Sequence, residues 1–414
     1  MRVRTLSVLV SVITSGVLAG AMAAGGNAAA AGGPGALDPT FGTGGVAVLD
    51  TGDGVAHDAA LLPGGDILVG DDSGVRRLLP NGALDTTFGS GGFASTSFQD
   101  GGLGGGWLAV QPDGGILWVG NTGDPTGLTT DFAIARFTAG GSLDAGFGTG
   151  GQVTTQFLNP PRQGALQVAD AVVVQPDGRI LVGGFARQGQ NKAAPTQAAL
   201  VRLNPDGSLD GTFGSGGQVL APGGLGTVTA LGLDAAGDIT VLPSHAAFGP
   251  TGQQLAAAPV APVVAASRGN ADAFLPTGQY VHAGSVGVSR HDVDVQVTRF
   301  NAAGTTASTS PPFDYADPGS AATDSADAVA VQPDGRAVVG GSRFAGGTLF
   351  GLARVDAGGG LDTTFGTGGT LTTAVPGGFG FTSLLVQPDG KIIGIGAGQD
   401  ATGGTELILA RYLG

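Results

Sequence analysis

One short segment recurs along this chain and restricts its fold more than any other feature. Leu37-Asp38-Pro39-Thr40-Phe41-Gly42-Thr43-Gly44-Gly45 has the form L-D-x-x-F-G-x-G-G, and copies open at Leu84, Leu143, Leu209 and Leu361. A second motif reads Gln175-Pro176-Asp177-Gly178-Arg179-Ile180-Leu181-Val182-Gly183-Gly184. Close copies start at Gln111, Gln332 and Gln387, and weaker ones at Leu62, Asp234 and Leu275. A third is a short apolar run ending in Arg before a Gly turn, at Arg77, Arg136, Arg202, Arg299, Arg354 and Arg411. Self-similarity at this scale means one supersecondary unit is repeated. The turn glycines of the second motif are Gly65, Gly114, Gly178, Gly237, Gly278, Gly335 and Gly390, spaced 41 to 64 residues apart. Residues 37–414 thus divide into seven units of about 54 residues, room for four short strands each.

The strands follow from turn chemistry and period. In the third unit, 151–157 alternates in polarity, Asp170–Val174 runs into Pro-Asp-Gly, Ile180–Val182 leaves it, and Ala198–Leu203 ends at a second turn, Asn204–Gly207. Pro presets φ in the turn and Gly accepts positive φ, so the pair encodes a hairpin. β-branched residues with period two, bounded by Gly and Pro, favour strand over helix. Composition agrees: of 32 acidic residues only Glu406 is Glu, and Lys192 and Lys391 are the only Lys, a poor supply for long helices. Four strands repeated seven times predict an all-β β-propeller. The chain ends at Arg411, where a further L-D-x-x-F-G would fall, and Leu37-Asp38 supplies that piece, so the N- and C-terminal segments are expected to close one ring. Six or eight blades and a β-solenoid remain as alternatives.

These paired motifs resemble the delta-60 repeat proteins, bacterial secreted or surface β-propeller-like repeats. The resemblance covers essentially all of 37–414, and units near 218–310 depart from it by losing L-D-x-x-F-G and most of Q-P-D-G. It implies architecture and export, and it transfers no catalytic residues.

Residues 1–31 read as a secretory signal with a short linker: Arg2 and Arg4, an apolar run from Leu6 to Met22, and an A-x-A site at Ala21-Met22-Ala23. Cleavage takes the net charge from −14 to −16. No later stretch reaches the roughly 18–20 apolar residues of a membrane span. The expectation is a bacterial, secreted, soluble monomer. A sequence pI near 4.4 argues against nucleic acid, and the absence of Cys excludes thiol nucleophiles, disulfides and zinc ribbons.

The repeated charges keep a register of eight residues: Arg77 and Asp85, Arg136 and Asp144, Arg202 and Asp210, Arg354 and Asp362, with Arg411 and Asp38 across the chain ends. A charge repeated once per unit at a turn reads as a structural clip. The fourth unit lacks both partners, and the fifth keeps Arg299 but has Ala307 in place of Asp. No cofactor is expected. Calcium is the one metal considered, at Asp50-Thr51-Gly52-Asp53-Gly54, which lacks EF-hand spacing. Asp292 and Asp294 share a strand face that His291 leaves, so those three do not converge locally. Glycan stacking has few platforms, since Trp107, Trp118, Tyr280, Tyr315 and Tyr412 are the only Trp and Tyr.

If the regular units are scaffold, specificity belongs where the pattern breaks. Tyr280, His282, Arg290, His291, Asp292 and Tyr315 are therefore the expected contact surface. The leading functional expectation is a non-catalytic binding or scaffold propeller for an extracellular protein or cell-envelope glycan. The alternative is a propeller hydrolase or lyase with an Asp-based site in the central channel.

Overall fold

The computed structural model describes residues 32–414 apart from 53, 99–102, 124–128, 159–164, 190–193, 222–223, 257–262, 267–270, 290–291, 317–318, 320–321 and 376. The expected signal segment lies outside them. The described residues form strands and turns, with no helix long and apolar enough to cross a membrane.

The third unit shows how sequence becomes sheet. Leu166–Val174, Ile180–Arg187, Gln197–Leu203 and Gln218–Leu220 pair antiparallel in chain order. The hairpin between the first two is closed by the Gln175 amide donating to Arg179 O at 2.7 Å, with Gly178 at φ 84°. The six other turns close the same way, including the sequence-poor ones: Leu62 to Asp66, Asp234 to Asp238 and Leu275 to Gln279. The positive φ is what keeps the motif's Gly. Gly178→Ala adds no clash, its Cβ meeting only Pro205 at 3.4 Å, so the cost is backbone strain of about 1–2 kcal/mol, to be read from urea unfolding.

The first unit (Ala56–Leu61, Ile67–Asp71, Gly74–Leu78, Phe93–Ala94) and the second (Leu103–Val110, Ile116–Gly123, Thr130–Phe137, Gln152–Thr155) repeat this order. The segment 151–157, expected in the third unit, thus supplies the last strand of the second, because the L-D-x-x-F-G-x-G-G turn folds it back onto Thr130–Phe137. The seventh pairs Gly378–Val386, Ile392–Gln399 and Thr405–Tyr412 with the N-terminal Val46–Gly52, Val46 opposite Ala410. The two ends of the chain therefore complete one sheet. The first strands of successive units lie side by side from Ala56–Leu61 onward, and Gly378–Val386 lies beside Ala56–Leu61. Apolar clusters fill the spaces between sheets, such as Leu117, Phe132, Ile134, Val172, Val182 and Val201 between the second and third.

The fourth to sixth units depart from this regularity. The fourth has Ala230–Asp234, Ile239–Leu242 and Ala246–Phe248, and Val263–Ala266 pairs with the otherwise open edge of its first strand. The fifth (Asp272–Phe274, Tyr280–Ser289, Asp292–Phe300, Thr306–Thr309) and sixth (Ala328–Val331, Ala337–Phe344, Thr348–Val355, Thr370–Thr373) are joined into one nine-stranded sheet. Thr323–Asp324 makes the join, Thr323 pairing with Val293 on one side and Phe344 on the other.

The five Arg–Asp pairs form one repeated clip. In the third unit Arg202 Nε donates to Asp210 at 2.7 Å, its guanidinium lies 4.6 Å from the centre of the Phe213 ring, and Nη1 donates to Pro250 O in the following unit. Arg77 with Asp85 and Phe88, Arg136 with Asp144 and Phe147, Arg354 with Asp362 and Phe365, and Arg411 with Asp38 and Phe41 repeat the bridge and the stacking. Each motif thus binds its own turn, and in four of the five the arginine also donates to a carbonyl of the neighbouring sheet, Arg354 Nη1 being buried without a partner. The Asp of each clip also accepts the amide and hydroxyl of a Thr two residues on in four of the five, as Asp38 does from Thr40.

Candidate functional site at the fifth and sixth units

Asp292 and Asp294 stand two residues apart at the start of one strand and so share a face. Asp314, from the segment leading into the sixth unit, comes up to the same face, and one carboxylate oxygen from each lies within 4.8 Å of the other two. Asp324 and Arg343 complete the group: Arg343 Nη1 is 3.2 Å from Asp324 and 3.5 Å from Asp314. The Tyr315 amide donates to Asp324 and the Gly319 amide to Asp314. One oxygen each of Asp292, Asp294 and Asp324 is buried without a hydrogen-bond partner. Burial, with Asp314, Asp292 and Asp324 close by, pushes the Asp294 carboxyl up to about 6. Burial likewise lifts Asp324 to about 6 against the pull of the Tyr315 amide and Arg343.

The surroundings are unusual for this surface. Among the described residues, Val288, Phe344 and Phe379 are the three most exposed large apolar side chains, at 53, 58 and 50%. Val288 precedes the turn into Asp292, Phe344 pairs with Thr323 beside Asp324, and Phe379 opens the first strand of the seventh unit. Antiparallel direction puts all three at the end of the sheets that carries the acidic group, opposite the Pro-Asp-Gly turns.

The expected contact residues are placed as follows. Tyr280 is buried, stacked on Phe300 at 4.6 Å between ring centres and bonded to His245. Tyr315 is fully buried and donates to Ser325 O at 3.0 Å. Both side chains are buried, so neither forms the exposed contact surface expected of it. His282 is half-buried and bonds Asp272 at 3.0 Å, which raises its pKa above the usual imidazole value. Asp292 belongs to the acidic group, and Arg290 and His291 lie outside the described residues. Asp53, in the segment considered for calcium, lies outside them as well. Trp118 and Tyr412 are also buried, Trp118 donating to Asp71 O.

Sequence reasoning missed Asp324 and Arg343 and reached Asp314 only as the neighbour of Tyr315 in the insert 311–315; the three are joined only by folding. It also missed a set of carboxylates in or just before the first strands: Asp58, Asp170, Asp272 and Asp327, each followed by Ala. That Asp-Ala repetition was a readable signal. Their bonds are structural, Asp58 accepting the Leu108 amide, Asp170 the Thr227 hydroxyl and Asp272 the Thr229 hydroxyl, each in an adjacent unit. Among the described residues, the carboxylates whose oxygens converge, Asp292, Asp294 and Asp314, lie two strands out in the fifth sheet, away from the first strands that carry Asp58, Asp170 and Asp272.

Fold, turns and clips together define a β-propeller of short repeats. Residues 64–88, 111–147, 175–213, 332–365 and 387–413 match the family model described as "Domain of unknown function (DUF5122) beta-propeller", in agreement with the propeller architecture of the repeats. Those segments leave out 214–331, where the regular motifs break down. None of the curated proteins matches the chain. Among solved structures, an α-L-arabinofuranosidase of Fusarium graminearum is 12% identical over 88% of this chain and 97% of its own, at a TM-score of 0.48. An α-L-arabinanase of Penicillium chrysogenum is 12% identical over 86% and 92%, at 0.43. A gluconolactonase of Xanthomonas campestris is 12% identical over 93% and 97%, at 0.38. All three are named as enzymes, which runs against the expectation of a non-catalytic scaffold, but at this identity the likeness is one of fold alone and carries no activity to this chain. No residue role passes from them to this chain.

The carboxylates give a pH dependence with two opposite limbs. Burial would raise Asp38, but the Thr40 hydroxyl and amide, then Arg411 and Lys391, bring it down to about 2. Its contribution is present above the ordinary carboxylate value and is lost as pH falls through about 2. Asp294 and Asp324, raised to about 6, act the other way: the native state holds their protons more tightly than the unfolded chain, so stability falls as pH rises from about 4 through 6. The melting temperature is therefore expected to be highest near pH 4–5. A maximum at pH 7 or above contradicts this assignment.

Proposed function

We propose that this chain is a propeller hydrolase acting on a glycosidic bond, with its reactive centre at Asp294, Asp292 and Asp314. The observation that carries the reading is the set of buried, unpartnered carboxylate oxygens around an Asp whose proton is held to about pH 6. Such a carboxyl is an acid able to protonate a leaving oxygen near neutral pH. Asp314, facing Arg343, supplies the second carboxylate. Phe344 and Phe379 offer apolar faces for a sugar ring at the same end of the sheets. The acidic chain repels polyanions, so the polymer should be neutral. Within this reading the seven units form a closed ring, and the protein is exported to meet its polymer.

The test is release of nitrophenol from a panel of neutral nitrophenyl glycosides at pH 4–8. Turnover that falls above about pH 6 supports the assignment, and no turnover on any member at any pH overturns it. A second reading rests on the same three carboxylates as hard oxygen ligands for a divalent cation. It predicts a rise in melting temperature at pH 7.5 with millimolar calcium that Asp294→Asn removes, and an unchanged melt ends it.

A further inference from the structure

A cavity of about 950 Å³ opens between the fifth and sixth units at the Pro-Asp-Gly end of the sheets. Its lining includes Phe274, Tyr280, Arg299, Phe300, Ser308 and Gln332. This end is remote from the acidic group: Asp292 and Arg299 lie seven residues apart on one strand, about 23 Å in extended chain.

Arg299 is the clip arginine of the fifth unit, where Ala307 and Ser310 stand at the positions of the clip Asp and Phe. It is 7% exposed, and its Nη2 donates to Gly335 O at 2.9 Å and Val355 O at 3.3 Å. Its Nε, the atom that holds the carboxylate in the regular clips, is buried with no partner. The Ser308 hydroxyl, also in the lining, is buried and unpartnered. Two carboxylates stand nearby. Asp334 is engaged with Arg336, and Asp356 acts on Arg299 only through its field while its carboxylate accepts the Gly360 amide. A guanidinium in a cavity wall, with its Nε lacking the carboxylate that the regular clips place there, is a place for an anion.

We propose that this cavity binds an acidic peptide segment of the form Asp-x-x-Phe from another protein. The carboxylate takes the place of the clip Asp at Arg299 Nε, and the aromatic ring lies along the guanidinium. The five regular clips show that this arginine geometry accepts that pattern, and the five copies in this chain are already engaged with their own arginines. The occupant must therefore come from a different chain. The site is independent of the hydrolase reading.

The probe is the blocked hexapeptide Leu-Asp-Gly-Thr-Phe-Gly, the sequence of residues 209–214, titrated calorimetrically into the full protein in low salt. Saturable binding at one site is expected. Asp→Asn in the peptide and Arg299→Met in the protein should each weaken it at least tenfold. Ala307→Asp restores the clip within the chain, so it should abolish binding while raising the melting temperature, which separates site loss from misfolding. No heat at millimolar peptide overturns the proposal. So does binding indifferent to the peptide Asp, or binding that survives Ala307→Asp.

Discussion

Arg411→Ala is expected to lower unfolding stability by about 3–5 kcal/mol, the range for a buried ion pair that loses one partner. Arg411 and Asp38 are 6 and 3% exposed, and Nε donates to Asp38 at 2.9 Å across the two ends of the chain. The substitution strips four interactions at once: the Asp38 bridge, the bond to Pro80 O in the first unit, the bond to the Thr40 hydroxyl and the stacking on Phe41. It also leaves the Asp38 carboxylate buried with only Lys391, 3.4 Å away, as counter-charge. Arg411→Lys keeps the charge but lacks the planar fork, so it should fall between wild type and Ala. Urea unfolding at pH 7 reads both. A loss under about 1 kcal/mol for Arg411→Ala is what an exposed pair would give, and it would contradict the clip as the joint between units.

The second large effect falls on activity. Asp294→Asn keeps size and shape but cannot deliver a proton, so kcat/KM is expected to drop by about 10²- to 10⁴-fold. The same change removes a carboxylate from a crowded acidic group, so the melting temperature at pH 8 should hold or rise. Loss of activity with gain of stability is the signature of a functional residue held at a cost to the fold. Asp314→Asn removes the second carboxylate, and a comparable loss of rate is expected there, because paired catalytic groups fail together.

The architecture was legible in the sequence because its determinants are local. Pro-Asp-Gly fixes a hairpin within five residues, and even Leu62–Asp66 and Asp234–Asp238, which had kept little of the motif, close it. The clip was legible because Arg and Asp lie eight residues apart in a repeated register, although stacking on the motif's Phe needed the fold to show it. The acidic group was only half legible. Asp292 and Asp294 share a face by strand period alone, whereas Asp314 reaches them through the bridge between Phe313 and Val295, and Asp324 and Arg343 through the crossing strand Thr323–Asp324, none of which a repeat encodes. Tyr280 and Tyr315 looked like recognition residues because they break the pattern. Both are buried instead: Tyr280 stands at the hairpin position of Ile180 and packs on Phe300, and Tyr315 lies against Gly351 of the sixth unit. The vacancy at Ala307 was visible in the sequence, and its consequence, a cation without a carboxylate beside a cavity, was not.

The most direct measurement of the central claim is the pH profile of kcat/KM for wild type and Asp294→Asn on whichever neutral glycoside gives the fastest turnover. The account predicts a wild-type profile that declines as pH rises through about 6, the value to which Asp294 is pushed, and a variant reduced at least a hundredfold with that limb gone. A variant as active as wild type, or one that keeps the same limb, would place the acid elsewhere and contradict the assignment of this site.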